Sequence, residues 1–238
     1  PRAVDAGADR NVNEGTAVVL TGNYLNPVTE TFLSRWEIID ENGRVVGSGS
    51  GNALSYTPAN DGDYTARFTV TNSTGATSYD DAILHVANVA PRLDFSTVTV
   101  VNINEGEKRS FSGTFTDPGN DGWTVTVDFG DGTERAIQRI AAGAARAFDI
   151  PAHTFDDNGI YLVTVAVRDD QMAEDRALGW VVQASNVAPV ATPVASLTGI
   201  PTRSRGGVIA VPAITVQVKQ EFTLELKDPR DPSTLADL

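Results

Sequence analysis

Apolar and polar residues alternate along this chain in short runs. Ala17-Val18-Val19-Leu20-Thr21, Arg67-Phe68-Thr69-Val70-Thr71, Ile83-Leu84-His85-Val86, Thr124-Val125-Thr126-Val127-Asp128 and Leu162-Val163-Thr164-Val165-Ala166-Val167 are rich in β-branched residues. Successive side chains of a strand point to opposite faces, so such runs predict half-buried strands. Between them lie Asn42-Gly43, Ser50-Gly51-Asn52, Asn60-Asp61-Gly62, Asp117-Pro118-Gly119-Asn120 and Asp131-Gly132. Gly and Asn tolerate positive φ and Pro presets its own, so each cluster predicts a turn. The helix-like stretch 141–147 is short, contains Gly143 and lacks a cap, and reads as a loop. Short strands with frequent turns predict an all-β, antiparallel sandwich.

The pattern repeats. Asn88-Val89-Ala90-Pro91 recurs as Asn186-Val187-Ala188-Pro189, Asn13-Glu14-Gly15 as Asn104-Glu105-Gly106, and Tyr64 as Tyr161. These spacings of 98, 91 and 97 residues suit an autonomous small domain rather than a solenoid unit. The expected division is 1–88, 89–186 and an incomplete third unit, 187–238. The growth in spacing from 91 to 97 puts an insertion between Gly132 and Tyr161, with 137–147 the candidate. In the third unit Asp228-Pro229 stands for Asp117-Pro118, which implies about 13 extra residues around 199–211. Half a core should not fold alone, so 190–238 is expected to pack loosely or lean on the second repeat. The opening Pro1-Arg2-Ala3-Val4 resembles the start of a repeat, so the chain reads as an excerpt of a longer protein.

Repeat two carries Val125-Thr126-Val127-Asp128-Phe129-Gly130-Asp131-Gly132-Thr133 and, downstream, His153-Thr154-Phe155-Asp156-Asp157-Asn158-Gly159-Ile160-Tyr161-Leu162-Val163-Thr164-Val165. This resembles the PKD (polycystic kidney disease) domain, with its W-D-F-G-D-G strand–turn and its H-x-Y-x-x-x-G-x-Y-x-V run. Val127 stands where Trp is usual and Phe155 where Tyr is usual. Repeat one resembles a diverged copy. Trp36-Glu37-Ile38-Ile39-Asp40 lies 91 residues before Val127-Asp128-Phe129-Gly130-Asp131, so Trp36 takes the usual Trp position. The resemblance implies tandem immunoglobulin-like (PKD-type) antiparallel β-sandwiches. Trp36 is then expected at a sandwich centre, and Tyr64 and Tyr161 as corner tyrosines bonded back to the main chain.

Composition narrows the function. A formal charge of −13 disfavours nucleic acid and anionic membranes as partners and attracts divalent cations. The absence of cysteine excludes disulfides and thiolate chemistry, and no apolar run is long enough to span a membrane. The two histidines offer no catalytic set: His85 is expected on a wet strand face, and His153 to fix a loop. Adjacent pairs such as Asp80/Asp81 would point to opposite faces, and no G-x-S-x-G elbow is present. The expectation is therefore a module that is not an enzyme. Asn72-Ser73-Thr74 fits an N-glycosylation sequon but carries no meaning if the source is bacterial, as the sequence suggests.

Calcium is the sharper expectation, because hard cations take six to eight oxygen ligands. Repeat two offers Asn104, Glu105, Asp117, Asn120 and Asp121 in two turn-like segments, then Asp169-Asp170 after the Tyr161 strand. A sandwich can bring such turns together near the linker, and the resemblance implies a cation that stiffens the junction. Repeat one has Glu14 but only Asn23, Asn26 and Asn72 at comparable places, so its own site is expected to be weaker; the third unit offers Asp228 and Asp231. The same residue types also cap turns unaided. The leading reading is an extracellular or cell-surface rod segment whose partners are flanking repeats, with surface polysaccharide or protein ligands beside them. The alternative is an accessory polysaccharide- or protein-binding module of a secreted hydrolase, with Trp123 and Trp180 as exposed aromatics and Trp123 the leading ligand-binding candidate.

Overall fold

The computed structural model describes residues 2–25, 31–188, 190–196 and 223–230. Two β-sandwiches follow one another. In repeat one a five-stranded sheet runs in the order Arg10–Asn13, Thr77–Ala87, Gly62–Asn72, Phe32–Ile39, Val45–Ser50. Val18–Thr21 with Ala53–Tyr56, and Arg2–Asp5 with Asn23–Leu25, cover it. Repeat two has the same order: Thr99–Asn104, Glu174–Ser185, Gly159–Arg168, Trp123–Asp128, Ala136–Ile140. Its second layer is Arg92–Leu93, Lys108–Thr116 and Ala147–Thr154. Among the described residues there is no helix, and hence none long and apolar enough to cross a membrane.

One detail departs from the antiparallel expectation. In each repeat the first sheet strand runs parallel to the last, Arg10–Asn13 beside Thr77–Ala87 and Thr99–Asn104 beside Glu174–Ser185. The first and last strands of a repeat therefore end at the same pole, so the residues after the first strand and the outgoing linker are neighbours. Glu14 N–H donates to Ala87 O, and Glu105 N–H to Ser185 O.

Alternation decides what is buried. Tyr64, Ala66, Phe68 and Val70 face inward from one strand of repeat one, and Trp123, Val125 and Val127 from one strand of repeat two. Trp36 is fully buried, stacks obliquely on Phe68 at 4.8 Å and donates its indole N–H to Asn52 O. Val127 is also fully buried; the aromatic volume its position lacks comes from Phe111, Phe129, Phe155 and Trp180, which pack ring to ring. Trp36→Ala is expected to cost repeat one about 3–5 kcal/mol. Urea titration followed by NMR should show its amides unfolding early while those of repeat two hold.

Both corner tyrosines form as expected: Tyr64 Oη–H donates to Asn60 O at 2.9 Å, and Tyr161 Oη–H to Asp157 O at 2.8 Å. His85 pairs with Asp63 on an exposed face. His153 bonds Asp131 at 2.6 Å while its ring stacks on Phe129 at 3.7 Å, which fixes the hairpin in which Gly132 has φ +81°. Asp80 accepts from Ala6 N–H while Asp81 pairs with Arg67. The loop reading of 141–147 holds up to Arg146, after which the strand Ala147–Thr154 begins.

In the third unit Val190–Ser196 pairs with Thr223–Arg230. Val190 faces Arg230 as Arg92 faces Thr116. That register makes Arg230 the counterpart of Thr116, and Asp228-Pro229 lies within the strand Thr223–Arg230, whereas Asp117-Pro118 follows its own strand; the two pairs therefore do not correspond. The expected insertion at 199–211, Asp231 and Asn26 lie outside the described residues.

Candidate metal centre at the repeat junction

The linker Asn88-Val89-Ala90-Pro91 is too short to separate the repeats, so the exit pole of one meets the entry pole of the next. From repeat one comes the turn after its first strand, with Glu14, and the turn 58–62, with Asp61. Gly15 N–H donates to Pro58 O, and the Tyr64 corner holds Asn60, so the two turns are fixed against each other. From repeat two comes the loop 117–122 between Lys108–Thr116 and Trp123–Asp128, and the tight turn that starts at Asp169.

These pieces are joined across the junction. Val89 N–H donates to Glu14 Oε1 at 2.8 Å, and Asn88 Nδ2–H to Asp169 Oδ2 at 2.8 Å. Asn120 N–H donates to Ala59 O at 2.8 Å. Asp117 accepts from Gly119 N–H and, at 2.7 Å, from the Trp123 indole N–H; Asp169 Oδ1 accepts from Ala173 N–H. Asp117 and Asp169 are thereby oriented by their own repeat before any ligand arrives.

Five carboxylates converge. Glu14, Asp61 and Asp121 each bring an oxygen within 4.8 Å of the others, and so do Asp117, Asp121 and Asp169. Glu14 and Asp121 are each 1% exposed. Glu14 Oε2, both oxygens of Asp121 and the amide oxygen of Asn88 are buried without a hydrogen-bond partner. Buried polar groups are ordinarily paired, and an unpaired buried carboxylate costs several kcal/mol, roughly 3–5. No ion pair among the described residues includes any of the five. Arg146, the guanidinium over the Trp123 ring, donates to the Gly119 carbonyl instead.

The electrostatics follow from burial and like charge. Burial, with Glu14, Asp117, Asp170 and Asp169 nearby, pushes the Asp121 carboxyl up to about 7. Burial raises Glu14 too, helped by Asp117 and Asp61 and opposed by the Val89 N–H. All the donors are oxygen, the donor set of a hard cation. Gly119 completes the cradle: a Cβ there would lie 2.5 Å from Asp121 Oδ2 and 2.6 Å from Glu14 Oε2. Gly15, at φ +69°, presses on Pro118, and a Cβ on it would lie 2.3 Å from Pro118 Cβ. Gly15→Ala therefore adds a left-handed backbone penalty of about 1–2 kcal/mol to a clash across the junction. The expected result is that the amide shifts of Gly119, Asn120 and Asp121 move while those of Val125 and Val165 stay.

The structure gathers Asp117, Asp121 and Asp169, with Asn120 beside them engaging repeat one through its backbone. It does not gather Asn104 and Glu105 with them. Those residues precede the strand Lys108–Thr116 and Asp117 follows it, so nine residues of strand, roughly 30 Å, carry the chain from one pole to the other. Glu105 instead repeats Glu14 at the exit pole of repeat two: its Oε1 accepts from Val187 N–H at 2.6 Å, and its Oε2 is buried without a partner. Exposed Asn104 donates to Glu107. Glu14 and Asp61 are the members of the carboxylate cluster that reading repeat two by itself misses; the recurrence of Asn-Glu-Gly in both repeats, an acid with no core role, is the signal for Glu14. Trp123 as an exposed ligand-binding aromatic is also overturned. It is 2% exposed, faces Phe115 at 5.4 Å and shares the inward parity of Val125 and Val127. Trp180 is partly buried against Phe95 and Phe111. Asn72, the counterpart of Asp169 in repeat one, spends its amide oxygen on Thr74 and Ala76 of its own turn.

Two sandwiches of one topology, each with a tyrosine corner and joined through a four-residue linker, define a tandem immunoglobulin-like module. The PKD domain family matches residues 1–86 and again 88–178, and the chain belongs to that family. No curated protein matches it in sequence. Among solved structures, a tetra-tandem repeat from the extending region of a large adhesion protein is 18% identical with a TM-score of 0.43, over 82% of this chain and 51% of that one. The titin pair A168–A169 is 15% identical with a TM-score of 0.40, over 77% and 99%. A Bacteroides ovatus glucan-utilisation protein, SGBP-B, solved with a mixed-linkage heptasaccharide, is 15% identical with a TM-score of 0.28, over 79% and 48%.

Proposed function

We propose that this chain is a non-catalytic spacer segment of a larger secreted or cell-surface protein, whose junction between repeats is locked by bound calcium. One observation carries the reading: carboxylates from both repeats converge on Asp121, which is buried with neither oxygen paired. A divalent cation supplies the missing partner and ties Glu14 and Asp61 of one repeat to Asp121 of the next. Calcium is the cation of choice because it accepts irregular shells of six to eight oxygens, whereas magnesium demands a near-ideal octahedron. The extracellular medium, where calcium is plentiful, suits such a lock. The partners are then the flanking repeats. With Trp123 buried and Trp180 partly buried, an accessory polysaccharide- or protein-binding role loses its leading candidate side chain.

The test is the solution shape of the repeat pair by small-angle scattering, in calcium and in chelator. Calcium should sharpen the distribution towards one extended form, and Asp121→Asn should abolish the difference. Identical curves with and without calcium would refute the lock.

A further inference from the structure

The five carboxylates do not surround one point. They form two groups of three, Glu14/Asp61/Asp121 and Asp117/Asp121/Asp169, with Asp121 the shared member. Calcium–oxygen bonds of about 2.3–2.6 Å put ligands on opposite sides of an ion about 5 Å apart. The oxygens of each group lie within 4.8 Å of one another, the span of one shell, and the five carboxylates do not form one such group. Asp121 has the state a bridging carboxylate needs: it is 1% exposed, and both oxygens are unpartnered. Glu14 Oε2 is unpartnered in the first group, and the carboxylate oxygens of Asp117 and Asp169 keep a lone pair after each accepts one N–H. The unpartnered amide oxygen of Asn88, whose nitrogen bonds Asp169, adds a neutral donor. Charge points the same way. Five ionised carboxylates with one divalent ion leave the cluster a net charge of −3; with two ions they leave −1.

Resting on the calcium reading above, we infer that the junction is a two-cation centre bridged by Asp121. One ion takes Glu14 and Asp61 from repeat one and Asp121 from repeat two. The other takes Asp117, Asp121 and Asp169, all from repeat two. The two roles differ. The inner ion belongs to repeat two and turns Asp121 towards its neighbour. The outer ion spans the junction and is the lock. Loading is sequential, with the inner ion preparing the ligand that the outer ion shares, and two ions on one carboxylate bridge lie about 4 Å apart.

Two measurements on the full chain test this. Equilibrium dialysis counts bound calcium as a difference from wild type, so ions held at any other pole cancel. Glu14→Gln and Asp169→Asn should each lose one ion, Asp121→Asn two, and the pair Glu14→Gln/Asp169→Asn two. The double variant keeps the count decisive should Asp121→Asn fail to fold. Terbium bound beside Trp123, whose indole bonds Asp117, should be sensitised by tryptophan excitation, and adding europium should quench it by transfer to the neighbouring ion. If the double variant and Asp121→Asn lose only one ion and europium leaves terbium emission unchanged, the centre holds a single cation: the bridge is wrong while the lock survives. If no variant changes the count, the calcium reading itself falls.

Discussion

Removing calcium is expected to lower the unfolding midpoint of this chain by about 10 °C or more, and Asp121→Asn to erase the dependence. A ligand that binds only the folded state stabilises it by RT ln(1 + [L]/Kd), about 4 kcal/mol at a thousandfold excess over Kd. One kcal/mol moves the midpoint of a chain this size by about 2–4 °C. The effect is large because the folded site is preassembled: Asp117 and Asp169 are already oriented, and Glu14 and Asp121 are already desolvated. The unfolded chain has no such site, because its ligands lie up to 155 residues apart, from Glu14 to Asp169. Calorimetry in excess calcium and in chelator reads the shift directly. An unchanged midpoint would mean that the carboxylates only cap turns.

The second large effect is one of pH and runs in opposite directions with and without the ion. The Asp121 carboxyl lies at about 7 in the folded chain against 3.8 for the free group. Between those values the folded state holds a proton that the unfolded state has released. In chelator, stability therefore falls as pH rises from about 4 to about 7 and then levels, a loss of at most about 4 kcal/mol from this group. Glu14, also raised, acts in the same direction. In saturating calcium the slope reverses, because the ion needs the ionised carboxylate and protons compete for it. Asp121→Asn separates the two regimes. In chelator at pH 8 it removes a buried unpaired charge and should raise the midpoint, with a gain of about 2–4 kcal/mol. In calcium it should lower the midpoint relative to wild type. A variant that is destabilised in both buffers by the same amount would show that Asp121 serves packing alone.

Much of the fold was legible because its causes are local. Period-two alternation put Tyr64, Ala66, Phe68 and Val70 on one face, and the same parity, followed through Val125 and Val127, would have buried Trp123 as well. Turn chemistry placed the loop at 117–122 and the hairpin at Asp131-Gly132, and the recurrence of Asn-Val-Ala-Pro divided the chain. The corner tyrosines and the central Trp36 followed from the family pattern. Glu105 shows where that kind of reading ends. In sequence it stands 12 residues from Asp117, but an intervening strand sends the two to opposite poles.

The sequence by itself determined two sandwiches, their order, their cores and an acid-rich set of turns, because alternation, turn preference and repetition act over a few residues or within one domain. Only the tertiary structure decided which acids share a site. A short linker sets the exit pole of repeat one against the entry pole of repeat two, so Glu14 and Asp61 complete a centre begun by Asp117, Asp121 and Asp169. That juxtaposition depends on strand length and on the parallel pairing of first and last strands, which bring distant residues to one pole and part near neighbours.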